Sequence, residues 1–229
     1  MSDPRRVLLV GATGLVGTRV MEACVGREDV RLTALSRREA PLPQGARMEM
    51  RIADPAQWDE AIAEIAPEAA ICALGTTWNK AGRDEAAFRA VDEELVLRVA
   101  RAAKEAGARN FVLVSSVGAD RASRAFYLRV KGEVEAAVRQ IGFHRLDILR
   151  PGLLRGPREG HRRLGERLAL IASPLADLVL HGSRRRLRSI DARSVARAAI
   201  QFARDKAPGA AVHDNDAILR AARRLDGAA

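Results

Sequence analysis

Tyr127-Leu128-Arg129-Val130-Lys131 sets a phenol and an ammonium four residues apart. On a helix that spacing puts both side chains on one face, one turn apart. An ammonium at that separation favours the phenolate form of a tyrosine. Tyr127 can then give a proton to a carbonyl oxygen as hydride arrives at carbon, or take one in the reverse direction. Lys131 can also hold the ribose of a nicotinamide. Tyr127 is the only tyrosine in the chain, and Ser115-Ser116 closes an apolar run 11 or 12 residues before it. A serine hydroxyl at the end of such a strand can hydrogen-bond the same substrate oxygen, and both Ser115 and Ser116 are candidates.

Hydride chemistry needs a dinucleotide, and the first 17 residues read as a site for one. Arg5-Arg6-Val7-Leu8-Leu9-Val10 runs straight into Gly11-Ala12-Thr13-Gly14-Leu15-Val16-Gly17. A strand feeds a glycine turn that opens a helix: Gly11 for the sharp turn, Gly14 for close approach to a pyrophosphate, Gly17 for tight helix–strand packing. The phosphates would sit on free backbone N–H groups at the positive end of the helix. The spacing G-x-x-G-x-x-G is a variant of the usual fingerprint. About 20 residues on, an NAD site places a carboxylate on the ribose 2′-hydroxyl. Here the second strand ends Ser36-Arg37-Arg38, with no acid before Glu39. Two guanidinium groups suit a 2′-phosphate, so NADP is expected over NAD.

The elements that must position these groups alternate in βαβ rhythm, the pattern of a parallel sheet. Strands are expected near Arg5–Val10, Val30–Ser36, Arg47–Ile52, Ala69–Leu74, Asn110–Ser115 and His144–Leu149. Helices are expected near Leu15–Gly26, Ala56–Ile65 (with Asp54 as cap and Pro55 in its first turn), Glu85–Ala106 (stopped by Gly107) and Arg124–Ile141. After Pro151-Gly152 the rhythm changes. Residues 153–188 are rich in Arg and Gly around an apolar helical stretch, Leu164–Leu180, and read as a small substrate cap. Helices follow at Ala192–Arg204 and near Asp216–Leu225. The 229 residues suffice for one α/β domain with a full core.

Composition excludes other classes. No apolar run reaches the 18 or so residues of a membrane span, and no signal-peptide core precedes the first strand. Cys24 and Cys72 lie in apolar surroundings and read as buried free thiols, so a cytoplasmic address is expected. The net charge of +10 is carried almost entirely by arginine, lysine occurring only at positions 80, 104, 131 and 206. Without aromatic–basic interleaving it reads as a solvated surface and not a nucleic-acid interface. His144, His161, His181 and His213 lack metal-ligand spacing, and no metal is expected. Arg155, Arg158, Arg162, Arg163, Arg184, Arg185, Arg186 and Arg188 are either a site for an anionic substrate or a solvated basic face.

The ordered set Gly11-Ala12-Thr13-Gly14-Leu15-Val16-Gly17, Ala73-Leu74-Gly75-Thr76-Thr77, Val114-Ser115-Ser116-Val117-Gly118-Ala119, Tyr127-Leu128-Arg129-Val130-Lys131-Gly132-Glu133-Val134-Glu135 and Leu149-Arg150-Pro151-Gly152 resembles the short-chain dehydrogenase/reductases. Within them it resembles the atypical, NAD(P)-binding, epimerase-like branch, and most nearly the Tat-interactive oxidoreductase group. The resemblance implies that Gly11, Thr13, Gly14, Leu15 and Val16 line the pyrophosphate turn and that Arg37 and Arg38 meet the adenosine ribose phosphate. It implies that Leu74, Gly75 and Thr76 border the nicotinamide half, with Pro151 and Gly152 under its ring. Tyr127 and Lys131 become catalytic acid/base and electrostatic support, with Ser116 preferred over Ser115 as serine partner. Many family members carry an Asn in the helix after the fourth strand for a proton relay; Asp92 stands at the equivalent position here.

The expectation is therefore a doubly wound α/β Rossmann domain with a small C-terminal cap, spanning residues 1–229. Its function would be NADPH-dependent oxidoreduction of a small carbonyl or alcohol substrate, with a homodimer as a further expectation. The alternatives are an NADPH-binding regulator with little turnover and a sugar-nucleotide epimerase- or dehydratase-like enzyme.

Overall fold

The computed structural model describes residues 3–156 and 188–227. The expected helical stretch Leu164–Leu180 and most of the expected cap lie outside the described residues. Seven strands form one parallel sheet: β1 (Arg5–Val10), β2 (Val30–Ser36), β3 (Glu49–Ile52), β4 (Ala69–Cys72), β5 (Asn110–Val114), β6 (Arg145–Leu149) and, last in the sheet, β9 (Gly209–His213). They lie in the order β3-β2-β1-β4-β5-β6-β9. Every neighbouring pair is parallel. The order reverses between β1 and β4, and in such sheets the crevice at the carboxyl ends of those strands is the ligand site.

Alternation along the strands explains the two layers of helices. In β1, Val7 and Leu9 face one core and Leu8 and Val10 the other; in β5, Val112 and Val114 oppose Phe111 and Leu113. A strand buried on both faces is apolar throughout, as parallel sheets require. The first core is closed by α1 (Leu15–Ala23), α6 (Ala192–Arg204) and α7 (Asn215–Asp226). The second is closed by α2 (Trp58–Ile65), α4 (Leu95–Glu105) and α5 (Phe126–Gln140). Asp54 accepts the Ala56 N–H at 2.8 Å ahead of a 3₁₀ turn begun by Pro55, as its sequence signals predict. Gly107, at φ +94°, stops α4, and Ala108 N–H reaches back to Ala103 O at 2.9 Å.

Beyond shifts in where elements begin and end, two expectations change. The helix expected over Glu85–Ala106 is α3 (Glu85–Arg89), a π-helical turn (Ala90–Glu94) and α4 in succession. A strand also follows α6 that the sequence pattern does not announce. Gly209-Ala210-Ala211-Val212-His213 has Val212 as its one strong strand former, and pairing with β6 supplies what propensity does not. Residues 188–227 thus complete the Rossmann layers. Among the described residues, only the pairing of β7 (Leu154–Arg155) with β8 (Ile190–Asp191) stands apart from the main sheet.

Asn110, fully buried at the start of β5, holds the late segment in place. Its Nδ2 donates to the carbonyls of Phe202, Ala203 and Asp205 at 3.2, 3.3 and 2.7 Å, and its Oδ1 accepts from Arg5 at 2.9 Å. Asn110→Ala strands these groups at the end of α6. It is expected to cost roughly 2–3 kcal/mol, a fall of roughly 5–10 °C in the thermal unfolding midpoint.

Candidate functional site

The glycine turn and the loop after β4 meet at the switch point. Gly11 has φ +92°, and a Cβ there would lie 2.5 Å from the carbonyl carbon and oxygen of Ala73. At Gly17 a Cβ would lie 2.1 Å from Gly11 O. Gly14 is exposed at the start of α1, a Cβ there falling 3.2 Å from Gly11 O. Its N–H donates to Gly11 O at 3.0 Å. Thr13 is exposed beside it, Leu15 is half-buried, and Val16 turns into the core. Arg37 and Arg38 follow β2 with exposed side chains and no ion-pair partner among the described residues. The Arg38 N–H caps onto Ser36 Oγ at 3.4 Å.

Across the crevice, α5 carries Tyr127 and Lys131 on one face. Gly132 lets that helix press onto the preceding loop: a Cβ there would lie 2.4 Å from Arg121 N. The half-buried Tyr127 ring meets Phe88 edge-on at 5.7 Å, and its hydroxyl makes no hydrogen bond to a described residue. Phe88, Phe126 and Trp78 continue the cluster, with centroids 5.3 to 6.3 Å apart.

Lys131 Nζ lies 2.8 Å from Asp92 Oδ1, both side chains being buried. The contact is a close ion pair without a well-aligned hydrogen bond at that oxygen. The other oxygen, Oδ2, accepts the Thr76 N–H at 2.7 Å. Burial pulls the Lys131 ammonium down; Asp92 foremost, then Tyr127 and Cys72, outweigh it and leave Lys131 above the ordinary lysine range. It is charged at neutral pH. Gly75 is exposed and Leu74 and Thr76 half-buried in the loop above this pair.

The two serines divide. Ser115 Oγ donates to the buried Glu135 Oε1 at 2.6 Å. Glu135 also accepts from Arg150 Nε and from its terminal nitrogen, the latter at 2.6 Å. Ser115 is therefore committed to a network tying β5, α5 and β6. Ser116, half-buried, has among the described residues only its neighbour's carbonyl, Val117 O, at 3.3 Å. The Val117 N–H reaches Pro151 O at 3.0 Å, which sets the serine loop beside Pro151-Gly152. Gly152 N–H donates to Asn215 Oδ1 at 2.9 Å, and Asn215 Nδ2 donates to Arg188 O at 2.7 Å.

Sequence reasoning missed Glu135 and Asn215. Glu135 stands one turn beyond Lys131, a spacing that alone does not distinguish a buried network from a solvated face. Asn215 lies far along the chain and joins the site only through α7. Burial pushes the Cys72 thiol up to about 11 and the Cys24 thiol up to about 12, so both stay protonated at neutral pH. No helix among the described residues is long and apolar enough to cross a membrane.

Comparison with known proteins places this geometry. A family model described as NAD(P)H-binding matches residues 11–206. The chain is 38% identical over 163 residues to "Protein fmp52, mitochondrial" of Emericella nidulans, covering 68% of this chain and 70% of that one. It is 38% identical over 169 residues to "Protein HTATIP2" of Rattus norvegicus, covering 72% and 69%. Among solved structures, MoeE5 in complex with UDP-glucuronic acid and NAD matches with a TM-score of 0.69 at 16% identity, over 99% of this chain and 83% of that one. UDP-glucuronic acid 4-epimerase from Bacillus cereus in complex with NAD matches with a TM-score of 0.64 at 15% identity, over 90% and 76%. At those identities the likeness is one of fold. The expected cytoplasmic address is corrected here: fungal relatives carry mitochondrial names. Two buried free thiols do not single out the cytoplasm. A parallel sheet with its glycine turn at the switch point, a matching family model and relatives over two thirds of the chain agree: the chain belongs to the NAD(P)H-binding family, on a Rossmann fold.

Proposed function

We propose that the chain is an NADPH-dependent oxidoreductase that moves hydride to or from a small carbonyl or alcohol substrate, with Tyr127 as acid/base. The observation that carries this reading is the pairing of a half-buried tyrosine, whose hydroxyl has no protein partner among the described residues, with a buried ammonium one turn away. The residues fit the cofactor. An exposed glycine at the start of α1 leaves the room a pyrophosphate needs, and two guanidinium groups without an ion-pair partner among the described residues follow β2, where a ribose phosphate falls in this fold.

A bound nicotinamide supplies the hydride. Tyr127 supplies or takes the proton at the substrate oxygen, and the Lys131 charge stabilises its phenolate. Ser116 hydrogen-bonds the same oxygen, whereas Ser115, already donating to Glu135, holds the strand end. Phe88, Phe126 and Trp78 exclude water behind the Tyr127 ring. Gly11, Thr13, Gly14 and Leu15, with the backbone of Val16, whose side chain lies in the core, would hold the pyrophosphate; Leu74, Gly75, Thr76, Pro151 and Gly152 would border the nicotinamide half. Residues 153–188, directly after Pro151-Gly152, select the substrate.

Calorimetric titration with NADPH and NADH tests this. Replacing Arg37 and Arg38 together by Ala is expected to weaken NADPH binding about 10- to 100-fold, the worth of one or two charge-assisted bonds. NADH binding should not change. Wild-type protein that prefers NADH, or binds neither, overturns the reading.

A further inference from the structure

Asp92 does more than neutralise a buried charge. Its two oxygens reach different parts of the site: Oδ2 holds the backbone of the loop after β4 through Thr76 N–H at 2.7 Å, and Oδ1 faces Lys131 Nζ at 2.8 Å. The loop backbone rests on the pair. A Cβ at Gly75 would lie 3.5 Å from Asp92 Oδ1 and 3.9 Å from Lys131 Nζ. The π-helical turn Ala90–Glu94 makes this possible. Widening one turn re-aims a side chain that a regular helix would direct elsewhere, a device that recurs at functional sites. Here it buries Asp92 completely while Glu93, its neighbour, stays on the surface side pairing with Arg89.

Resting on the function proposed above, we infer that Asp92 is a positioning residue that couples the Gly75–Thr76 loop to Lys131. One carboxylate then sets both the seat of the nicotinamide half and the charge beside Tyr127, and Lys131 works as a fixed charge, not as a group that passes protons. The groups facing Lys131 among the described residues are Asp92 from the π-turn, Tyr127 from its own helix and Cys72 from β4. Cys72 is a protonated thiol, and Asp92, 2.8 Å away and foremost among the groups that raise Lys131, is the counter-charge. Burial alone favours the neutral amine. Without the carboxylate the ammonium would be lost as pH rises; with it, Lys131 stays charged across the working range.

The test is NADPH affinity by calorimetry at pH 7 and pH 9, in wild type, Asp92→Asn, and the double variant Asp92→Asn/Lys131→Met. The amide oxygen of Asn can still accept the Thr76 N–H, so this substitution removes the charge and spares the loop contact. Wild-type affinity is expected to be flat between the two pH values. Asp92→Asn should bind less tightly at pH 7 and lose about a further tenfold by pH 9 as the buried amine deprotonates. In the double variant binding should be weak and flat. A merely structural Asp92 would weaken binding equally at both pH values, and that result, or wild-type affinity throughout, overturns the inference. If Asp92→Asn fails to fold, Thr76→Pro deletes the loop donor, together with the Thr side chain and the freedom of φ at that residue, and leaves the ion pair; Thr76→Ala, which keeps the N–H, is its control. Thr76→Pro should weaken NADPH about tenfold, and unchanged affinity would likewise overturn the coupling. The two proposals fail separately: wild type that does not bind NADPH sinks the functional reading, whereas wild type that binds through Arg37 and Arg38 beside a pH-flat Asp92→Asn sinks only the coupling.

Discussion

Tyr127→Phe is expected to lower turnover of a carbonyl substrate about a hundred- to ten-thousand-fold, the usual worth of a positioned acid/base. The substitution removes one oxygen that makes no hydrogen bond to a described residue and leaves the edge-on contact with Phe88 at 5.7 Å in place. The fold and NADPH affinity should therefore be unchanged, which calorimetry on the same sample checks. Steady-state rates with NADPH and a panel of small aldehydes and ketones supply the comparison. Retained turnover in the variant would move the proton chemistry to another group. Wild type that binds NADPH tightly yet turns over no carbonyl would favour a binding protein over an enzyme.

Gly17→Ala should have the largest effect on stability. Its Cβ would lie 2.1 Å from Gly11 O and 2.8 Å from Ala12 Cα, both backbone atoms, so no side chain can swing aside to make room. Forcing α1 away from β1 opens the core that Val16 and Val20 fill beneath it. The cost is expected to be about 3 kcal/mol or more, a drop of roughly 6–12 °C in the unfolding midpoint. Gly14→Ala is the control three residues away. Its nearest contact is 3.2 Å and its position exposed, so the fold should survive while the added methyl occupies space a pyrophosphate needs. Calorimetry should then show lost NADPH binding with little change in melting. Equal melting of both variants would mean that helix–strand approach is not what Gly17 permits.

The residues themselves account for much of this molecule. β1 through β6 and the helices between them follow from apolar runs and breaks that local patterns encode: Val7 to Val10 alternate into two cores, Asp54 and Pro55 start a turn, and Gly107 at φ +94° stops α4. The glycine turn and the Tyr127–Lys131 pair are also local, because three- and four-residue spacings are set by helix geometry alone. Ends of strands were less legible. The run expected over Arg47–Ile52 forms a strand only from Glu49, and Ala69–Leu74 only to Cys72, where the chain leaves the sheet to build the loop over the site.

What the tertiary structure decided lies between elements far apart in sequence. β9 is a strand because β6 offers a free edge, not because Gly-Ala-Ala-Val-His favours one. Ser115 and Ser116 are equivalent in the chain; Glu135, reached only when α5 packs on the sheet, takes the first and leaves the second facing the crevice loops. Asn215 supports Gly152 across 63 residues. Asp92, a residue that sequence marks only by its difference from a family pattern, meets Lys131 and Thr76 because a π-turn points it inward. Periodicity determines which residues share a face of one element, since that depends on the backbone alone. Which faces then meet depends on the sheet order and on the burial of charges that must find partners, and those are settled only when the whole chain packs.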